Sequence, residues 1–483
     1  MSVVVRNCPS PTGLLHIGTV RTALFNYLFA KNQGGKILFR SEDTDKERST
    51  SEYETNIVNG LIGLGLLDKE TKIVRQSERT EIYQKYLRQL LDTGHAYYCF
   101  MTSEELDKIR DEQQKNGQAP RYPGTYRDYP IKEAEERIKK GEKAVIRFKV
   151  PENQTVIFQD LVLGENKTNT RELDDFVIAK DFNTPLYNFC VVVDDHDMQV
   201  THVLRGGDHV PNTPKQILIY QAFNWDTPQF GHFPLIVDSE GKKLSKRRNK
   251  VSLLDYLEEG YLPEAILNFL ALIGWNPGTE EELFSLDELV QKFSIARVHT
   301  SSACFDLNKL IWLNGLHIRR LSIEELQKFT QPFLDKTEYT TLITEKGSDY
   351  LKKVLLVIQT KLKKLNELEE NCRLFYVFKP ATKELICNPK MKVDENIAKK
   401  AIQETIQILE NLADYTEENI KAALVVKIAD LGWSNGQMLW PIRAALSGAE
   451  FSPGAFEIAS VLGKEESIKR LNQALILFGF FFF

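Results

Sequence analysis

The segment 2–45 constrains the chain more than any other stretch. Residues 2–6 carry a run of β-branched valines, which reads as a buried first strand. Pro9, Pro11 and Gly13 then impose a rigid turn. Beyond it Leu24, Tyr27 and Leu28 recur at helical spacing, so a helix is predicted to begin close to His16-Ile17-Gly18-Thr19. A second buried strand, 37–40, runs into an acidic cluster of Glu42, Asp43 and Asp45. Strand, turn, helix and strand make a βαβ unit. Such units take ligands at the carboxyl ends of their strands and anions at the helix N-terminus.

The residues of the turn narrow the chemistry. His16 can donate a hydrogen bond to a phosphate, and Gly18 lets a nucleotide approach the backbone closely. Far downstream, Gly241-Lys242-Lys243-Leu244-Ser245-Lys246-Arg247-Arg248 makes a dense cationic loop suited to charge developing on a triphosphate. Alone, His-Ile-Gly-Thr reads as a surface loop and a Lys/Arg run as a solvated face. Together, in this order and bracketed by strand patterns, they are hard to explain as either.

Residues 9–19, P-S-P-T-G-L-L-H-I-G-T, and 243–247, K-L-S-K-R, resemble the two signatures of class I aminoacyl-tRNA synthetases. With R-T-A-L-F-N-Y-L-F-A at 21–30 and E-D-T-D at 42–45, the form is similar to bacterial-type glutamyl-tRNA synthetases. The resemblance continues through 186–189, 193–195, 201–206 and 212–216 and covers nearly the whole chain. It implies a multidomain α/β and all-α architecture. A Rossmann-like catalytic domain in two halves, 1–95 and 187–250, would carry an inserted α+β acceptor-stem-binding domain at 96–186. A helical stem-contact region, 251–321, and a helical anticodon-binding domain, 322–483, would follow.

The same resemblance implies activation of L-glutamate by ATP to glutamyl-adenylate, release of pyrophosphate, and transfer to the 3′ end of tRNA(Glu). Mg²⁺ would arrive on ATP, and a monomer is expected. His16, Lys243 and Lys246 would be catalytic. ATP would be held by Pro9, Ser10, Pro11, Thr12, Gly13, His16, Ile17, Gly18 and Thr19, and by Lys243, Leu244, Ser245, Lys246 and Arg247. Glutamate would meet Arg6, Ser10, Glu42, Tyr187 and Arg205, with Glu42 on its ammonium and the arginines on its side-chain carboxylate. Plainer readings stand beside these: Tyr187 as core, Ser10 as a turn residue, Glu42 and Asp43 as a helix cap, Arg205 paired with Asp208. Asn7-Cys8 and Ser41 replace the family's usual Phe-Ala and Ile, so the pocket walls should be more polar. Gly207 stands where an acidic residue is usual.

Some family members bind zinc in the insertion through a Cys-x-Cys pair and a second pair. Here the corresponding residues are Cys99 with Met101 and Tyr126 with Asp128. A lone cysteine and an aspartate cannot close a four-ligand structural site, so no zinc is expected.

For the rest, helices are predicted over 53–66 and 80–93, and a strand over 96–100. A capping box follows at Thr102–Glu105, then strands over 144–148 and 155–158. The apolar run 190–193 reads as a strand ending in Asp194-Asp195-His196, and 200–204 as a strand ending at Arg205. A helix over 211–223 and a strand over 232–237 complete the sheet. From 251 the pattern is helical, with a capping box at Ser322 and helices over 350–368, 394–412, 416–431, 441–446, 455–462 and 466–478. Lys352, Lys353, Lys361, Lys363 and Lys364 would give one helix a basic face; this is solvation or, through Lys361, an anticodon contact.

Composition bounds the alternatives. At 483 residues the chain is too long for one core, and its length suggests about three domains. A net charge of -5 argues against indiscriminate coating of nucleic acid, though not against a local basic face. Six scattered cysteines suit a reducing cytoplasm. A strand beginning at residue 2 leaves no room for a leader, and no apolar run spans a bilayer. Nucleotidyltransferases share the fold and an HxGH-type signature but lack a long helical second half. A tRNA-binding paralogue with a decayed site would not need His16, Glu42, Lys243, Lys246 and Arg205 together.

Overall fold

The valine run forms β1 (Val4–Asn7), followed by α1 (Ile17–Asn32), β2 (Lys36–Ser41), α2 (Ser51–Gly63) and β3 (Ile73–Arg75) in a computed structural model that describes residues 2–242, 244 and 252–479. The three strands are parallel in the order β1-β2-β3, with Val5 opposite Ile37 and Arg40 opposite Val74. On α1, Val20, Leu24, Phe25 and Leu28 are completely buried, as a helix against a parallel sheet requires. The turn from α1 to β2 needs Gly35, since a Cβ there would lie 2.5 Å from Val3 O.

Next come α3 (Thr80–Asp92), β4 (Ala96–Cys99), α4 (Ser103–Lys115), α5 (Ile131–Lys139), β5 (Val145–Phe148), β6 (Thr155–Asp160), β7 (Gly164–Asn169) and β8 (Val177–Ala179). Strands β4, β5 and β8 form a small antiparallel sheet, and Thr102 with Glu105 caps α4 reciprocally. Near β4, the Arg137 guanidinium lies 3.8 Å from the Phe100 ring centre, with Tyr126 and Tyr129 around it. Asp128 pairs with Lys149 at 2.8 Å. Of the residues at the metal-ligand positions, Tyr126 thus joins the aromatic cluster and Asp128 the ion pair, while Cys99 donates to the Tyr122 hydroxyl and Met101 packs against Cys99 and Tyr122. Among the described residues no group of three or more His, Cys, Asp or Glu is arranged to hold a metal.

The chain then forms α6 (Tyr187–Asp197), β9 (His202–Gly206), α7 (Thr213–Ala222), β10 (Gln229–Phe233) and β11 (Ile236–Val237). Residues 190–193 are therefore helical, where the valine run predicts a strand. Every residue of 189–195 is buried, so this helix shows no polar face, and a short apolar run cannot reveal its period. The second sheet has the order β7-β6-β10-β9, parallel from β6 to β9. Strand β6, from the segment 96–186, thus belongs to it. Thr201 N donates to Val4 O at 3.0 Å and Val4 N donates to Thr201 Oγ1 at 2.8 Å. The two sheets therefore meet at β1 and β9, and strand order reverses there; such a switch point opens a crevice at the carboxyl ends. Helices α8 (Leu253–Glu258), α9 (Pro263–Leu272) and α10 (Leu286–Lys292) follow, and β12 (Ala303–Cys304) pairs with β11. All of this lies in one unit, 1–257 with 263–307.

The second unit, 258–262 with 308–483, is helical. It contains α11 (Leu307–Arg320), α12 (Ile323–Leu334), α13 (Thr340–Ile358), α14 (Leu368–Tyr376), α15 (Lys383–Ile386) and α16 (Glu395–Asn411). Helices α17 (Glu417–Asp430), α18 (Asn435–Ser447), α19 (Ala455–Leu462) and α20 (Lys464–Ile476) complete it. The capping box at Ser322 opens α12 as read. The helix expected over 350–368 ends instead at Ile358, because the following turn is bound by tertiary partners. Asn314 Nδ2 donates to Lys363 O at 2.7 Å, and Leu365 N donates to Gly260 O at 3.0 Å. The expected basic helix face is accordingly split. Lys352 and Lys353 are on α13, while Lys361, Lys363 and Lys364 lie in the turn. Among the described residues no helix is long and apolar enough to cross a membrane.

Candidate active site

The switch point opens a cavity of about 790 Å³ within the first unit, inside the range of small-molecule sites. Its lining includes Arg6, Asn7 and Cys8 from the end of β1, then Pro9, Ser10, Thr12 and Gly13 from the turn. His16, Ile17, Gly18 and Thr19 contribute the start of α1, and Glu42, Tyr187, Arg205, His209 and Leu244 come from four other segments. Residues far apart in sequence meet here because both half-sheets point their carboxyl ends the same way. Pro11 does not line the cavity; it is buried, and its carbonyl accepts from Thr50 N at 3.2 Å. Lys243, Ser245, Lys246 and Arg247 lie outside the described residues. Lys361 belongs to the other unit, where it is exposed.

His16 is the N-cap of α1. Its Nδ1 accepts from Gly18 N at 3.1 Å and Thr19 N at 3.4 Å. An imidazole accepting at Nδ1 carries its proton on Nε2, and Thr19 Oγ1 lies 3.1 Å from that atom. Nε2–H is thereby fixed as a donor. The two backbone N–H groups that the sequence offers to a phosphate are shared with the ring.

Under the β2 side lies a charge lattice that no single motif announces. Arg40 is fully buried and faces Asp195 at 2.8 Å, Glu42 at 3.3 Å and Asp194 at 3.6 Å. Arg6 Nε donates to Asp195 at 3.2 Å. Asp194 also accepts from Arg79 at 2.8 Å, Gln76 at 2.7 Å and Tyr83 at 2.9 Å. Arg6, Arg40 and Arg79 balance Glu42, Asp194 and Asp195. Burial opposes the Asp195 charge, but Arg6 and Arg40 hold its pKa below the usual carboxylate range. For Glu42, burial outweighs Arg40 and raises the pKa, so this carboxylate would gain from an added cation.

The β9 side is different. Arg205 is buried, with Nε donating to His232 Nε2 at 3.1 Å and Nη2 donating to Thr213 Oγ1 at 2.9 Å. Its Nη1 is buried without a hydrogen-bond partner among the described residues, and so is Asn7 Nδ2. Both residues line the cavity. The side-chain hydrogen bonds of Arg205 thus go to a ring and a hydroxyl. Tyr187 is not simple core: its hydroxyl lies 3.1 Å from His209 Nδ1. Burial, helped by Glu42, lifts the Tyr187 phenol to about 12. Burial, helped by Arg205, lowers His209 to about 4. Asp43 accepts from Ser77 N at 2.9 Å and so serves the turn after β3. Cys8, in place of the usual alanine, is raised to about 12, chiefly by burial.

Sequence reasoning misses Arg40, the Asp194–Asp195 pair as lattice members, His209, and the His232–Asp160 pair behind Arg205. It also misses Arg21, a buried cavity-lining guanidinium that burial lowers to about 10 and whose partners are the carbonyls of Pro234 and Ile273. The available signal is a charged residue inside an apolar run, as at Arg40 and Asp194.

Residues 2–312 match the catalytic domain of the class I tRNA synthetases (E and Q), and residues 323–475 match an anticodon binding domain. The glutamate–tRNA ligase of Bacillus subtilis (strain 168) is 42% identical over 98% of this chain and 99% of its own. That of Clostridium tetani (strain Massachusetts / E88) is 40% identical over 97% and 96%. A crystal structure of a glutamate tRNA ligase from Elizabethkingia meningosepticum, in complex with its amino acid, matches with a TM-score of 0.85 at 32% identity over 99% of both chains. With a parallel-sheet switch point carrying both the Pro-Ser-Pro-Thr-Gly turn and the His16 cap, this chain belongs to the glutamate–tRNA ligase family of class I aminoacyl-tRNA synthetases.

Proposed function

We propose that this chain activates L-glutamate with ATP and transfers the glutamyl group to the 3′ end of tRNA(Glu). A glutamate α-carboxylate oxygen attacks the α-phosphorus of ATP, and the bond to pyrophosphate breaks. A hydroxyl of the terminal ribose of the tRNA then attacks the carbonyl carbon, AMP leaves with its bonding pair, and the hydroxyl proton passes to the departing phosphate. Neither step asks much proton chemistry of the protein, so positioning and charge stabilisation dominate. The observation that carries the reading is Arg205, a buried cation that hydrogen-bonds no carboxylate among the described residues, on the wall of a cavity that also presents the His16 turn.

The roles follow from the charges. His16 Nε2–H and the turn 9–13 would hold the nucleotide, with Lys243, Leu244, Ser245, Lys246 and Arg247 closing on its phosphates. Lys246 would meet charge growing on the leaving pyrophosphate. Glu42 would take the ammonium, and Arg205, with Arg6, Ser10 and Tyr187, would hold the carboxylates. Glu42 and Asp208 are the acidic residues of the cavity lining, too few for a Mg²⁺ cage, so the ion would enter on the ATP phosphates. The chain would divide into catalytic halves, 1–95 and 187–250, an acceptor-binding segment, 96–186, and a stem-contact region, 251–321. Segment 322–483 would contact the anticodon, with Lys361 on that surface. The protein would act in the cytoplasm as a monomer, without zinc.

Charging assays on separate tRNA(Glu) and tRNA(Gln) transcripts, each with glutamate and with glutamine, test this. Glutamylation of tRNA(Glu) is expected. Failure of glutamate to be transferred to either transcript would overturn the reading.

A further inference from the structure

We propose that Asp160 and His232 form a positioning pair for Arg205, fixing the tautomer that lets this arginine hold an open donor toward the amino-acid carboxylate. This rests on the assignment of Arg205 to glutamate. Both members are completely sealed from solvent; His232 Nδ1 lies 2.5 Å from Asp160 Oδ2, and His232 Nε2 accepts from Arg205 Nε at 3.1 Å. A ring that accepts at Nε2 carries its proton at Nδ1, the atom that Asp160 receives. Asp160 is itself locked. Its Oδ1 accepts from the backbone N–H of Val162 and Leu163 at 2.9 Å each, and from that of His232 at 3.2 Å. Rotation of the guanidinium is stopped a second time by Thr213 Oγ1 on Nη2. What remains is Nη1, buried and without a hydrogen-bond partner among the described residues.

The choice of an imidazole has a physical reason. A carboxylate placed directly on Arg205 would neutralise it and compete with the ligand's carboxylate. A neutral ring orients Arg205 and separates it from the Asp160 charge. Burial lowers the His232 pKa despite Asp160, which keeps the ring neutral. The ring is held by its neighbours: Phe230 stacks at 6.2 Å between centroids, and the same Phe230 lies 5.5 Å under the Arg205 guanidinium. Asp160 ends β6 and pairs in register with Phe230 of β10, so it is the extension of the second sheet by β6 that delivers the carboxylate.

The decisive substitution is Asp160→Asn. Its carbonyl oxygen must keep the three backbone N–H groups, so its amide nitrogen faces His232 as a donor. The ring can then bond only by accepting at Nδ1, which moves the proton to Nε2 and sets it against Arg205 Nε–H. We expect the KM for glutamate in tRNA(Glu) charging to rise about 10-fold or more, while the KM for ATP stays within about 2-fold. Nitrogen-15 NMR of labelled histidine should show His232 Nε2 unprotonated in the wild type and protonated in the variant. A second pair guards against a folding defect: His232→Gln, whose carbonyl can still accept from Arg205, should keep a lower glutamate KM than His232→Leu. The proposal is overturned if wild-type Nε2 is protonated. It is also overturned if Asp160→Asn or His232→Leu, folded and with normal ATP KM, leaves the glutamate KM unchanged. A wild type that binds ATP but never charges with glutamate would instead overturn the functional reading, and the NMR result separates the two.

Discussion

At the end of β2, Arg40 is wholly enclosed and meets Asp195, Asp194 and Glu42 within 3.6 Å. At the end of β9, Arg205 is almost as deeply buried, yet its hydrogen-bond partners among the described residues are an imidazole and a hydroxyl, and its Nη1 has none. The same side chain serves two ends. Where carboxylates inside the protein supply the counter-charge, as around Arg40 even though its Nε has no hydrogen bond closer than the 3.6 Å contact with Asp194, the arginine holds elements together. Arg40 cross-links β2 to α6 in this way. Where the fold spends rigid partners on orientation and leaves out the counter-charge, the missing anion has to come from a ligand. Arg470 in the helical unit belongs to the first kind: it meets Glu466 at 2.9 Å and the carbonyls of Leu374 and Leu446.

The contrast breaks most easily at Arg205. Arg205→Leu should lower kcat/KM for glutamate by about 10⁴-fold, and that for glutamine far less, while stability changes by about 1 kcal/mol or less. Parallel charging assays with both amino acids decide it; equal losses would make Arg205 no selector. Arg40→Met should behave oppositely. It removes one of the two guanidinium partners of each of Asp194 and Asp195 in the interior, so urea unfolding should show a loss of about 3–5 kcal/mol. A well-folded Arg40→Met protein of normal stability would show that the lattice is not what holds β2 to α6.

Acidification gives a smaller and signed effect on the β2 side. The folded pKa of Asp195 is depressed, because Arg6 and Arg40 outweigh burial. Its contribution to stability is thus fully present above the unfolded value, about 3.9, and fades as pH falls through the folded value. Glu42, raised by burial, acts with the opposite sign. Asp195→Asn should therefore flatten the wild type's loss of stability below about pH 4. Unfolding curves at several pH values in both proteins read this directly, and an unchanged slope would remove Asp195 from the account. The smallest expected effect is on the insertion, where Arg137 and its aromatic neighbours occupy the corner near β4. EDTA should leave the thermal unfolding midpoint unmoved, and metal analysis should find no zinc. One zinc per chain would reveal ligands outside those described.

Much of this was readable beforehand. Local chemistry announced the βαβ unit: valines in β1, prolines and Gly13 in the turn, helical spacing after His16. The capping boxes at Thr102 and Ser322 also depend only on residues three apart, and both formed as read. Residues 190–193 failed because local pattern carries no information once every face of a segment is buried. The basic lysine face failed because Asn314 and Gly260, distant in sequence, hold the turn that splits it.

What the sequence alone determined, then, was the set of short-range decisions: which segments turn, cap and coil, and which charged groups sit at strand ends. Only the tertiary structure decided which of those charges became neutral pairs. Asp195 reaches Arg6 and Arg40 across more than 150 residues, and Asp160, on the added strand β6, reaches Arg205 only through His232. Coulomb interaction and desolvation depend on distance in space and on exclusion of water. Both arise when the two half-sheets meet at β1 and β9, and neither is written in the spacing of residues along the chain.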